Sequence, residues 1–188
     1  MKSSQKNNVL KTLAELLKRQ EDEIMRANGA DMDSFPDMDA SMRDRLKVDG
    51  PKIEGMIRSL EEVAAQADPE GKILYTHTRE DGLQIENRTV PFGTILIIYE
   101  SRPDVTIEAA ATAFKAGNRI LLKGGKEAFH SNTLLTRLWQ EALTVNGEEI
   151  HWVEYLNLNR GETQQLIREN SRRVDLIIPR GGEGLIHF

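Results

Sequence analysis

Cysteine is absent from all 188 residues, which excludes disulfides, zinc-thiolate sites and thiol catalysis within them. No apolar run approaches the length of about 18 residues that crossing a bilayer needs. The opening MKSSQKNNVLKTLAELLKRQ is an interrupted amphipathic pattern without the apolar block of a signal peptide. A cytoplasmic protein with no membrane partner is the expectation. A basic surplus is missing too: 25 Lys and Arg face 30 Asp and Glu, for a formal charge of -5. Phosphate-backbone binding demands such a surplus, so nucleic acid is not an expected partner. His77, His130, His151 and His187 are scattered without the spacing of metal ligands, and no metal is expected.

What is present suffices for a core, with 39% hydrophobic residues. Val9, Leu10, Leu13, Leu16, Leu17 and Ile24 fall on one helical face; Ile53, Met56, Ile57, Leu60 and Val63 make a second stripe. Residues 1–71 therefore read as a helical amino-terminal region. The intervening DMDSFPDMDA resembles a calcium loop only in its aspartates. Phe35 and Pro36 stand where that loop needs an oxygen ligand and a glycine, so a solvated acidic loop is expected. In residues 72–90, β-branched and aromatic residues flank Asp81-Gly82, which predicts a hairpin closed by a type I′ turn.

From residue 94 strands and helices alternate. TILIIYE is a continuous apolar strand, and the helix after it has Pro103 at its first position and Gly117 at its stop. RILLK is a second strand, followed by a helix bearing Leu134, Leu135, Leu138 and Ala142 on one face. A weaker strand in IHWVEYL, a helix in GETQQLIREN and a buried strand in RVDLIIP complete the pattern. The fold class is α/β: a Rossmann-like, mostly parallel sheet over residues 91–188, preceded by the helical region and the hairpin. Trp139 and Trp152 read as core or interface packing.

Such sheets bind ligands at the carboxyl ends of their strands. Two of those ends, ILLKGGKE and LIIPRGGEG, pass through Gly-Gly flanked by cations towards a helix. Glycine pairs let backbone N–H groups approach an anion, and a helix start adds donors, so phosphate is the expected guest. The competing reading makes the glycines simple tight turns and leaves the lysines solvated.

VPFGTILIIYESRPDVTIEAAATAFKAGNRILLKGGKEAFHSN and VDLIIPRGGEGLIHF, with IMRANGADM, MRDRLKV and ADPEGKI upstream, resemble the γ-glutamyl phosphate reductases of the aldehyde dehydrogenase superfamily. The resemblance implies a Rossmann-like domain that binds dinucleotide without a GxGxxG loop, and a hairpin at 72–90 that joins subunits into a homo-oligomer. It also implies NADPH-dependent reduction of γ-glutamyl phosphate to glutamate 5-semialdehyde, through a cysteine thioester. The nucleophilic cysteine then belongs downstream of this chain, which reads as truncated before the catalytic domain and inactive alone; GEGLIHF reads as a helix begun and unfinished.

By the same resemblance Lys123 reaches the adenosine ribose and its phosphate. Lys126 replaces the glutamate that holds both ribose hydroxyls in many NAD-using relatives. Gly124 and Gly125 make the turn between them, and Arg180, Gly181 and Gly182 form the loop beside the pyrophosphate. Ser101 takes the place of the oxyanion asparagine, and Arg102 is a contact for substrate phosphate or carboxylate. The rival from another class is a non-catalytic dinucleotide sensor or interaction protein of the same fold, which the missing cysteine favours.

Overall fold

The first apolar stripe folds as two helices rather than one. In the computed structural model, which describes residues 1–182, α1 (Ser3–Arg19) stops at Gln20, and α2 (Glu21–Ser34) restarts at once. Glu21, Asp22 and Glu23 occupy the first turn of α2, where the helix dipole favours negative charge. Aspartates start the next two helices. Asp39 accepts from the Met42 N–H at α3 (Ala40–Leu46), and Asp49 accepts from the Lys52 N–H at α4 (Gly50–Ala65). Both apolar stripes are buried, and they share one core with the helices of the second half.

β1 (Ile73–Thr78) and β2 (Gln84–Arg88) form the antiparallel hairpin, exposed along its whole length. Its turn corrects the type I′ expectation. Only Gly82 has positive φ, at 86°. The Gly82 N–H bonds to the Arg79 carbonyl at 3.0 Å, and the Arg79 N–H to the Leu83 carbonyl at 2.9 Å. Asp81 keeps negative φ because its carboxylate accepts from the Leu83 N–H at 3.1 Å, an Asx turn that extends the loop by residues a two-residue turn lacks.

β3 (Thr94–Tyr99), β4 (Arg119–Lys123), β5 (Val153–Tyr155) and β6 (Leu176–Arg180) make a parallel sheet in the order β5-β4-β3-β6. Helices α5 (Pro103–Lys115) and α6 (Phe129–Val145) cover one face together with α1 and α4. On the other face, Leu96, Ile98 and Leu121 pack against Leu156 and against Leu166 of α7 (Arg160–Glu169). The chain steps from β3 outward through β4 to β5, then returns to the far side of β3 as β6. That reversal makes the carboxyl ends of β3 and β6 a topological switch point, where sheets of this kind leave a crevice.

Pro103 opens α5, and Gly117, at φ 81°, turns the chain out of it. Trp139 is fully buried and donates its indole N–H to the Thr106 carbonyl at 3.1 Å; half-buried Trp152 stands edge-on to Phe114. β6 corrects the buried-strand expectation. Ile177 is 38% exposed, and Pro179 and Arg180 are exposed as well, because β6 is the edge of the described sheet. An edge position also tolerates Pro179, which has no N–H for a ladder. The helix expected to begin in GEGLIHF lies outside the described residues.

Candidate functional site

The carboxyl ends of β3, β4 and β6 open into a cleft of about 450 Å³. Its walls include Ser101, Arg102, Lys123, Gly125 and Gly182, all expected from sequence, together with Arg45 of α3, Glu100, Glu127 and Arg160. Gly124, Lys126, Arg180 and Gly181 do not line it.

The Gly-Gly turns are built differently from the expected phosphate cradle. A side chain on Gly124 would come within 3.0 Å of the Tyr99 ring, and one on Gly125 within 3.0 Å of the Ser101 nitrogen. Close packing of the β3 and β4 ends, with no positive φ at Gly124 or Gly125, is what demands glycine there. The donors at the following helix start are already used. Buried Asp31 of α2 accepts from the His130 and Ser131 N–H groups, each at 2.8 Å, and from the Ser131 hydroxyl at 2.6 Å. Asn28, one turn earlier, locks the same joint by accepting from Val48 and donating to Ser131. At the second turn the Gly182 N–H donates to Glu100 at 2.7 Å. The protein's own carboxylates thus occupy donors that the sequence reading reserved for a ligand.

Side chains carry the charge of the cleft instead. The half-buried Lys123 ammonium donates to the Gly124 carbonyl at 2.8 Å. Burial holds its pKa below the usual lysine range, with the nearby Glu127 carboxylate acting in opposition. Ser101 donates its hydroxyl proton to Glu127 at 2.6 Å, so that proton is engaged. Lys126 points elsewhere: its ammonium lies 5.9 Å from the centroid of the Phe35 ring, at the foot of the acidic loop. The single 3₁₀ turn Lys126–Ala128 explains the exchange, since it sends consecutive side chains in different directions.

Arg102 donates to buried Asp104 at 2.9 Å, and this bond raises the guanidinium pKa further. Arg45 donates to Glu100, also at 2.9 Å. Burial, reinforced by the Asp104 charge, pushes the Glu108 carboxyl above its ordinary range while Arg102 and Arg180 pull it back. Sequence reasoning missed Arg45, Glu100 and Glu127. Glu127 adjoins a motif already singled out, and Arg45 lies within the MRDRLKV stretch quoted for the family resemblance. Among the described residues, no group of three histidine or carboxylate side chains could hold a metal.

The fold is that of the aldehyde dehydrogenases. A probable aldehyde dehydrogenase from Listeria monocytogenes superposes over 100% of this chain and 39% of its own, with TM-score 0.75 at 13% identity. Within that class the chain belongs to the γ-glutamyl phosphate reductase family. It is 42% identical over 186 residues to the γ-glutamyl phosphate reductase of Sulfurovum sp., across 97% of this chain and 45% of that protein. The crystal structure of γ-glutamyl phosphate reductase from Thermotoga maritima superposes with TM-score 0.96 at 39% identity, over 100% of this chain and 46% of its own. The chain therefore spans about half the length of the curated relatives it matches. No protein-family profile matches it.

Proposed function

We propose that this chain is the nucleotide-binding part of a cytoplasmic, NADPH-dependent reductase that converts γ-glutamyl phosphate to glutamate 5-semialdehyde and inorganic phosphate, the second step towards proline. The observation that carries the reading is a half-buried lysine, Lys123, at a switch-point cleft in a chain of this family. A cation beside a carboxylate suits a ribose, whose hydroxyls both donate and accept. Lys123 supplies a donor and Glu127 an acceptor for a ribose hydroxyl that carries no phosphate, a set that fits the adenosine end of a dinucleotide. The nicotinamide supplies hydride.

Lys126 bears on the 2′-phosphate of NADPH. From its place beside Phe35 it acts through charge at a distance, so its contribution is modest and weakens as salt rises. The glycines at 124 and 125 hold the β3 and β4 ends close enough for Lys123, Ser101 and Glu127 to share one cleft. Gly181 and Gly182 border the pyrophosphate, although the Gly182 N–H must first leave Glu100 to serve it, and Arg180 lies with Arg102 on the substrate side. Arg102 faces the substrate side. Ser101 cannot give its proton to a developing oxyanion while Glu127 holds it, so its part is to fix the carboxylate.

Reduction of an acyl phosphate in this way requires a thiolate that displaces phosphate to form a thioester, from which hydride transfer then releases the aldehyde. The thiolate must come from residues other than these 188, which contain none. The purified chain mixed with NADP, phosphate and glutamate 5-semialdehyde is accordingly expected to form no NADPH above a blank. Turnover by the chain alone would overthrow the thioester route.

A further inference from the structure

Beside the main cleft lies a smaller cavity of about 160 Å³, lined by Arg45, Glu100, Arg102, Val105, Arg180 and Gly181. Three of these residues are arginines, from three separate parts of the fold: helix α3, the turn after β3, and the end of edge strand β6. Arg45, Glu100 and Arg102 belong to the walls of both cavities, so the two adjoin. We propose that the small cavity is a dedicated subsite for a phosphoryl oxyanion, and that Arg45 and Arg180 hold that anion together with Arg102. On the reading given above, on which this assignment of the guest rests, the anion is the phosphate of the acyl phosphate substrate or the inorganic phosphate it releases.

Size argues first. Pockets for whole organic ligands run to about 300–1,000 Å³, so this cavity takes one small group projecting from a ligand in the larger cleft. Charge argues next. Arg102 is tied to Asp104, and Arg45 to Glu100. Arg180 has no carboxylate within ion-pair distance among the described residues, although Glu108 lies near enough to feel its charge. Among the described residues, Arg180 is thus the one arginine of the three outside an ion pair, with donors to offer an incoming anion.

The present occupant argues third. One oxygen of Glu100 accepts from Arg45 at 2.9 Å and the other from the Gly182 N–H at 2.7 Å. Donors from α3 and from the β6 turn therefore already converge on an oxyanion, here the protein's own. A phosphate brings more oxygens than a carboxylate and can engage three guanidinium forks from three directions, which a planar carboxylate cannot.

Titrating inorganic phosphate into the purified chain at low ionic strength, by calorimetry or phosphorus NMR, tests this. Arg45→Gln and Arg180→Gln should each weaken phosphate binding about tenfold or more, and Arg45→Lys, which keeps the charge and loses the fork, by less. Arg19→Gln, at a surface pair with Glu141, should leave it unchanged. Unfolding curves without phosphate identify any variant that has lost its fold, and the Arg180 and Arg45→Lys substitutions then carry the test alone. Absence of phosphate binding to the parent chain overturns the proposal, as does equal binding by all folded variants, or tighter binding of glutamate than of phosphate. NADPH binding measured in parallel separates the two readings: nucleotide without phosphate refutes the subsite alone, and phosphate without nucleotide refutes the proposed function alone.

Discussion

Gly125 shows how closely the ends of β3 and β4 pack. Its importance lies in what an added Cβ would strike, namely the Ser101 backbone nitrogen at 3.0 Å and the Glu127 carboxylate at 2.9 Å. Backbone cannot move aside cheaply, so Gly125→Ala should destabilise the fold by about 1–3 kcal/mol. Gly29, inside α2, meets nothing within 4 Å, and Gly29→Ala should instead stabilise by roughly 0.5–1 kcal/mol through helix propensity. Urea unfolding of both variants checks the contrast, and a neutral Gly125→Ala would show that the two strand ends are not closely packed. The same stretch marks the limit of legibility. Lys123 was visible because a strand-end lysine interrupts an apolar run. That Glu127 rather than Lys126 faces the cleft depends on one 3₁₀ turn, which no periodicity encodes. Asp31, a hundred residues from the amides it caps, was invisible for the same reason: its partners are set by tertiary packing.

At the scale of elements, α1 is pinned by a buried lysine. Lys6, 1% exposed, donates to Asp68, to Glu70 at 2.6 Å and to the Lys115 carbonyl at the end of α5. Burial works to raise the Asp68 pKa, but the Glu70 N–H and Lys6 outweigh it, and the net shift is downward. A depressed carboxylate contributes stability above its unfolded value of about 3.9, and loses it as pH falls through the lower folded value. Lys6→Met should therefore cost about 1–3 kcal/mol at pH 7, below the 3–5 of a fully enclosed pair because Glu70 is 36% exposed. The gap from the parent should narrow as pH drops below about 4; a gap of equal size at pH 7 and pH 3 would contradict the assignment. The hairpin makes the complementary case. Ile73, Leu74, Tyr75, Leu83 and Ile85 are all more than 40% exposed on it, and an isolated two-stranded ribbon is marginal in water. Replacing residues 72–90 by a short Gly-Ser linker should lower the association state in sedimentation, and an unchanged state would mean the ribbon joins no subunits.

Over the whole molecule, the alternation of apolar runs with capped helices was enough to give the parallel sheet, because each element carries its own start and stop. What stayed hidden was where each strand would sit. RVDLIIP reads as buried, yet strand order puts it at the edge of the described sheet with Ile177 exposed. That placement also creates the switch point and brings Arg180 beside Arg45 and Arg102, a grouping no local pattern announces. The central claim is that this switch-point cleft, through Lys123, receives a nicotinamide dinucleotide. NADPH fluorescence titrated against the purified chain and against Lys123→Met tests it most directly. Saturable binding by the parent, weakened about tenfold or more in the variant at matched salt, is the predicted result, since a charge-assisted hydrogen bond contributes about 1.5–3 kcal/mol. Binding that is absent from the parent, or equally tight without the lysine, would contradict it.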